Sequence, residues 1–102
     1  MHLVQLLLPL YDNDQNPIAQ ALFTRVREEL VERFGGLTSY ARAPARGIWK
    51  DDDNQPHRDD VVTYEVMAEN LDRDWWSAYR KELEKRFAQR ELIIRSQDIQ
   101  VL

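Results

Sequence analysis

Arg27-Glu28-Glu29-Leu30-Val31-Glu32-Arg33-Phe34 returns as Arg80-Lys81-Glu82-Leu83-Glu84-Lys85-Arg86-Phe87. Both stretches read R-x-E-L-x-x-R-F, and they begin 53 positions apart, at 27 and 80. Each copy has helical period, follows an apolar extended run and precedes another. Two copies of strand–helix–strand in 102 residues decide the architecture. They do not decide the chemistry.

Working outward, residues 3–8 form a nearly continuous apolar run, interrupted by Gln5 and closed by Pro9, as expected of a buried strand. Asn16-Pro17 reads as a helix start, because Asn caps free N–H groups and Pro at the first helical position loses nothing. Ile18, Leu22, Val26, Leu30 and Phe34 then recur every fourth residue as one apolar stripe, predicting a helix over 17–34. Gly35-Gly36 ends it, since glycine accepts the left-handed backbone of helix termini. Residues 37–42 alternate as a strand. Pro44 marks an edge position, and Gly47-Ile48-Trp49 continues the strand past a bulge or bend. Residues 51–60 read as a long, solvated acidic turn. Residues 61–68 are the strongest strand. Asp72 caps the second helix, predicted over 72–87, with Leu71 and Trp76 spaced as a hydrophobic staple. Its stripe is Trp76, Tyr79, Leu83 and Phe87. Residues 92–95 form the fourth strand, and 98–102 a short apolar tail.

The order β-α-β-β-α-β predicts an α+β, ferredoxin-like domain spanning 1–102. Right-handed crossovers place both helices on one face of a four-stranded antiparallel sheet. Strands one and three are central, and strands two and four are edges. Alternation turns Val4, Leu6, Leu8, Val62, Tyr64, Val66, Ala68, Leu92 and Ile94 towards the helices. The repeat offset adds Ser39 and Ala41, small enough for close helix packing. The opposite face then carries Leu3, Gln5, Leu7, Tyr40, Arg42, Val61, Thr63, Glu65, Met67, Ile93 and Arg95. That face is too apolar for open solvent and too polar for a plain core.

Composition narrows the function classes. The 43% apolar and 31% charged fractions are those of an ordinary globular protein. A net charge of −4 argues against nucleic acid as partner, and strand three lacks the basic-aromatic signature of RNA-recognition domains. There are no cysteines, so disulfides and thiol nucleophiles are excluded. His2 and His57 are the only imidazoles, too few for a His-rich metal site. Asp51, Asp53 and Gln55 have part of the spacing of a calcium loop, but Pro56 stands where its glycine belongs and Val62 where its closing Glu belongs. No phosphate-binding glycine motif occurs. No run approaches a membrane span, and the apolar start lacks the basic residues of a secretory signal. The expectation is a cytoplasmic domain that uses no metal or cofactor and binds neither nucleic acid nor membrane.

Site candidates lie on the second sheet face and beside it. Glu65, Arg42 and Arg95 are placed to form an ion cluster, whose carboxylate would serve either as an interfacial salt-bridge partner or as a general base. Tyr40 lines the same face. Trp49 is open to two readings, packing or contact with a ligand or partner. Trp75 and Trp76 read as packing residues. Glu29–Arg33 and Glu82–Arg86 have the favourable (i, i+4) order and read as solvated helix pairs.

Phe34-Gly35-Gly36-Leu37-Thr38, Ala43-Pro44-Ala45, Gly47-Ile48-Trp49 and Asp74-Trp75-Trp76 together resemble a family of small uncharacterised bacterial proteins. The resemblance covers nearly the whole chain and implies a ferredoxin-like fold without an assigned activity. The topology is also similar to the dimeric α/β-barrel superfamily, which includes cofactor-free monooxygenases, isomerases and stress-related proteins. None of their catalytic motifs matches residues here.

The leading expectation is a domain that binds a partner or small ligand through a homodimeric sheet face. The alternative is a cofactor-free dimeric enzyme acting on a small organic molecule. In the dimer Glu65 would meet the partner subunit's Arg42 or Arg95. The competing account has a monomer covering the face with its acidic turn and Trp49.

Overall fold

The computed structural model describes residues 1–50 and 56–102, and side chains at 1–40 and 61–102. The element order is β1 (His2–Pro9), α1 (Gln20–Phe34), β2 (Thr38–Lys50), β3 (Pro56–Ala68), α2 (Arg73–Arg86) and β4 (Ile93–Asp98). The four strands form one antiparallel sheet ordered β2-β3-β1-β4, the ferredoxin-like arrangement with β1 and β3 central. Alternation along β1 and β3 puts Val4, Leu6, Leu8, Val62, Tyr64 and Val66 in one core with Phe23, Val26 and Leu30 of α1 and Trp76, Tyr79 and Leu83 of α2. Both helices therefore lie on the same sheet face.

Each helix ends where the repeat places an end. At the close of α1, Gly35 takes φ +80 and its N–H reaches the Val31 carbonyl at 2.8 Å. One repeat later, Ala88 takes φ +51 after α2. Ala88 N–H donates to the Lys85 carbonyl and Gln89 N–H to the Glu84 carbonyl, at 3.2 and 2.9 Å, the paired bonds of a Schellman turn. At the start of α2 the Asp72 side chain accepts from the Trp75 N–H at 3.0 Å, as the sequence predicts.

The start of α1 departs from expectation. Asn16-Pro17 does not open it; the helix begins at Gln20 with Ala19 at the cap and no side-chain capping bond. Asp12 takes up the intervening chain. Its carboxylate accepts from the N–H groups of Asp14 and Asn16 at 2.8 and 2.9 Å, while Asp12 N–H donates to the Asn16 carbonyl at 2.8 Å. Both backbone groups of Asn16 are thus engaged in a closed loop, and Tyr11 and Pro17 pair across it as an isolated bridge. Gln15 adopts φ +65 within that loop.

β2 crosses the irregularity the sequence suggests, shifting register between Ala41 and Arg46 and then pairing on to Lys50. β3 starts earlier than expected: Pro56 to Asp60 belong to the strand and pair with β2, where a turn was expected. The rest of that expected turn, residues 51–55, lies outside the described residues. Ser39, expected beneath a helix, is exposed, because α1 rests on β3 and leaves this part of β2 uncovered.

The helices are tied by an ion pair that neither repeat copy announces. Glu29 does not pair with Arg33 along α1; it accepts a two-pronged contact from Arg86 of α2, through Nη1 and, at 2.9 Å, through Nη2. Tyr79 Oη adds a bond to the same carboxylate at 3.1 Å. Only 10% of the Arg86 side chain is exposed, and its Nε also meets Glu82 at 3.2 Å, the expected (i, i+4) pair. Hydrogen bonding from Arg86 holds Glu29 below the usual carboxylate range, against the opposing effect of burial. Burial, reinforced by the Glu29 charge, pushes the Tyr79 phenol well above its ordinary value. Arg33 turns instead over Trp75, with its guanidinium carbon 4.0 Å from the ring centre. Trp75 stacks on Tyr79 and Trp76 on Phe34, so both tryptophans are packing residues, as read from the sequence.

Candidate functional site: the open sheet face

The sheet face away from the helices is organised in rows by strand register. Gln5 of β1 stands beside Glu65 of β3 and Arg95 of β4. One row along, Leu7 stands between Thr63 and Ile93, and Thr63 is followed by Tyr40 of β2. One row the other way, Leu3 stands between Met67 and Gln97. Two mostly apolar rows, each centred on a leucine and each holding one uncharged polar residue (Thr63 or Gln97), therefore enclose one polar row.

The polar row is a hydrogen-bonded ladder. Arg95 Nε donates to Gln5 Oε1 at 2.8 Å, and Gln5 Nε2 donates to Glu65 Oε1 at 2.6 Å. Gln5 is the hinge of the arrangement. An amide has both an acceptor and a donor end, so it joins a cation on one side to a carboxylate on the other. The ion cluster expected from Glu65, Arg42 and Arg95 thus takes another form: Glu65 and Arg95 sit on opposite sides of Gln5 and communicate through it. The side chains of Arg42 and Trp49 lie outside the described residues, although β2 carries both positions. Sequence reasoning placed Gln5 on this face but gave it no role. The available signal was its position as the lone polar residue in the run Leu3-Val4-Gln5-Leu6-Leu7-Leu8.

The rows around the ladder are wet. Met67 and Ile93 are 53% and 54% exposed and Tyr40 is 42% exposed, while Leu3, Leu7 and Val61 are half-buried. They make two apolar flanks to the polar row, a mixed surface of the kind that marks a contact site. Chemically the face offers a carboxylate, a guanidinium and an amide in one line, flanked by hydrocarbon and one phenol.

Away from this face, an open groove of about 1030 Å³ lies at the C-terminal end of α2, with Lys81, Lys85 and Arg90 along it. Glu84 there accepts from the Leu92 N–H at 3.0 Å and from Arg80 at 3.2 Å, joining α2 to the start of β4. Basic residues in the last helical turn complement its free carbonyls, which accounts for Lys85 without a ligand. Among the described residues no helix is long and apolar enough to cross a membrane.

No family model matches this chain, and no curated protein matches it. Its fold is shared with a phage SAM lyase. The structure of that enzyme in complex with S-methyl-5'-thioadenosine superposes with a TM-score of 0.60 at 17% identity, covering 95% of this chain and 80% of that one. The apo form gives a TM-score of 0.58 at 16% identity, covering 94% and 78%. At such identities the likeness is one of fold.

Proposed function

We propose that this chain is a single, one-unit binding domain that works as a homodimer, taking a partner or small ligand through its open sheet face. The observation that carries the reading is the Arg95–Gln5–Glu65 ladder set between exposed apolar rows. Leaving Leu3, Leu7, Tyr40, Val61, Met67 and Ile93 wet forgoes roughly 25 cal/mol per Å² of apolar surface that a second copy would cover. Sedimentation equilibrium across a micromolar concentration range tests it. A dimer that dissociates on dilution is expected, and a species that stays monomeric at every concentration overturns the assembly. Met67→Lys should give monomers, because it brings two unpartnered charges into an apolar seam.

A second reading, a cofactor-free enzyme acting on a small organic molecule, is supported by the fold it shares with a lyase that binds a thioadenosine. Glu65 is then the general base and Arg95 and Tyr40 contact substrate, with Arg42 and Trp49 further candidates on β2. Thermal shift with S-adenosylmethionine and S-methyl-5'-thioadenosine is the direct probe, since a ligand bound only by the folded state raises Tm. Alanine at Glu65 separates the readings. Lost turnover in a dimer that still assembles favours the enzyme; lost assembly favours the structural role.

A further inference from the structure

We infer that the second copy docks with its twofold axis running along β1, so that Arg95 of each copy meets the partner's Glu65. This rests on the homodimer reading and adds to it a defined geometry. Gln5 lies on the middle strand of three, and neighbouring strands are about 4.8 Å apart, so Arg95 and Glu65 flank it at nearly equal distances on opposite sides. Two sheets packed face to face stand about 10 Å apart, within the joint reach of an arginine and a glutamate. The orientation of the axis then decides which charges face one another.

Three limiting orientations of the axis describe a face-to-face pair. An axis across the strands lays the polar row on its own image and the Leu3 row on the partner's Leu7 row, so Arg95 faces the partner's Arg95 and Glu65 faces the partner's Glu65. That sets like charges together in a partly dry seam. A perpendicular crossing turns the polar row onto the strand direction and sets Arg95 and Glu65 against the partner's Leu3 and Leu7, leaving both charges desolvated and unpaired. An axis along β1 exchanges the two sides of the sheet. Arg95 then faces the partner's Glu65 twice, Gln5 faces the partner's Gln5, and Leu3 and Leu7 each meet their own image. Met67 then faces the partner's Gln97 and Thr63 the partner's Ile93, so what singles out this orientation is that it alone sets each charge against its opposite.

The ladder within each chain is compatible with it. The bond to Gln5 uses Arg95 Nε, and a guanidinium carries five N–H donors in a planar fork. Glu65 accepts from Gln5 through Oε1 and has a second oxygen to offer. The amide therefore pre-orients both charged groups before the partner arrives.

Because the chain has no cysteine, single-cysteine variants report contacts without background. Leu3→Cys and Leu7→Cys, each alone, should give covalent dimers with a short bifunctional maleimide, because facing cysteines on sheets about 10 Å apart are too distant for a direct disulfide. Leu3 and the partner's Leu7 lie about four residues apart along the strand, roughly 13 Å, and should not cross-link. A cross-link found only when the two variants are mixed, in a protein that sediments as a dimer, overturns the axis and leaves the dimer standing. Monomer throughout, with no cross-link from either variant, overturns both. Charge reversal supplies an independent readout. Glu65→Arg or Arg95→Glu alone should weaken dimerisation roughly tenfold or more, since each removes two cross-seam pairs. The double reversal should restore it. Circular dichroism on each variant checks that the fold is retained, and a folded Glu65→Arg variant that dimerises normally overturns the proposal.

Discussion

Ala88→Gly should stabilise this protein. Ala88 occupies the left-handed position of the Schellman turn after α2, at φ +51, and Gly35 occupies its repeat equivalent at φ +80. An L-residue in that conformation costs about 1–2 kcal/mol relative to glycine. Glycine returns about 0.4–1 kcal/mol of this through the greater entropy of its unfolded chain. Taking the middle of each range, the net gain is about 0.8 kcal/mol, which in a domain of this size corresponds to a rise in Tm of roughly 3–6 °C. The reverse change, Gly35→Ala, isolates the same backbone preference, because a Cβ there meets nothing within 4 Å. It should cost a similar amount, with no steric contribution to confuse it. Urea unfolding followed by circular dichroism measures both, and an unchanged m-value shows that the same surface is exposed on unfolding in each variant. The two turns lie at separate helix ends, so the double variant should return close to the parent. A neutral or destabilising Ala88→Gly, beside a harmless Gly35→Ala, would refute the claim that these turns need left-handed backbone.

Asp12→Ala should destabilise by about 0.5–1.5 kcal/mol, since water replaces the carboxylate that accepts from the exposed N–H groups of Asp14 and Asn16, and thermal melting reads this directly. Asp72→Ala should cost about 1 kcal/mol through loss of the α2 cap. Arg86→Lys keeps the charge but loses the fork on Glu29, and should lower stability by about 1–2 kcal/mol in denaturant titration. Glu29 has its folded pKa lowered from an ordinary 4.5, so its contribution is complete above that pH and is lost as pH falls through the folded value. Glu29→Gln should therefore flatten the acid limb of the stability–pH curve measured by urea midpoint, and an unchanged limb would show that other carboxylates set it.

The helices, the strand order and the faces were legible because repeat, period and alternation are local properties of a chain. Asp72 was legible for the same reason: its partner is three residues away. Asn16 misled because an Asx-type loop and a helix cap use the same residue types, and only the tertiary path shows that Asp12 claims the Asn16 backbone first. Glu29 misled because Arg33 stands four residues along the same helix, whereas its actual partner, Arg86, is 57 residues away. Residues 56–60 read as turn because charged side chains in a two-stranded arm lack the alternation that a buried face imposes. On the open face, Glu65, Arg95 and Tyr40 were legible from alternation alone. The role of Gln5 was not, since it arises from strands brought together from positions 60 and 90 residues distant.

That remoteness has a consequence for a nascent chain. β1 is a central strand whose neighbours in the sheet, β3 and β4, are both made long after it. The α1 helix and the β2–β3 hairpin can form as they emerge, but β1 has no local partner. At 5–20 residues per second, the 60 positions between Gln5 and Glu65 take about 3–12 seconds to synthesise, and β4 follows later still. Throughout that interval Leu3, Val4, Leu6, Leu7 and Leu8 form an unpaired apolar strand beside a ribosome. The segment that ends at the centre of the fold is thus the one most in need of a chaperone on the way there.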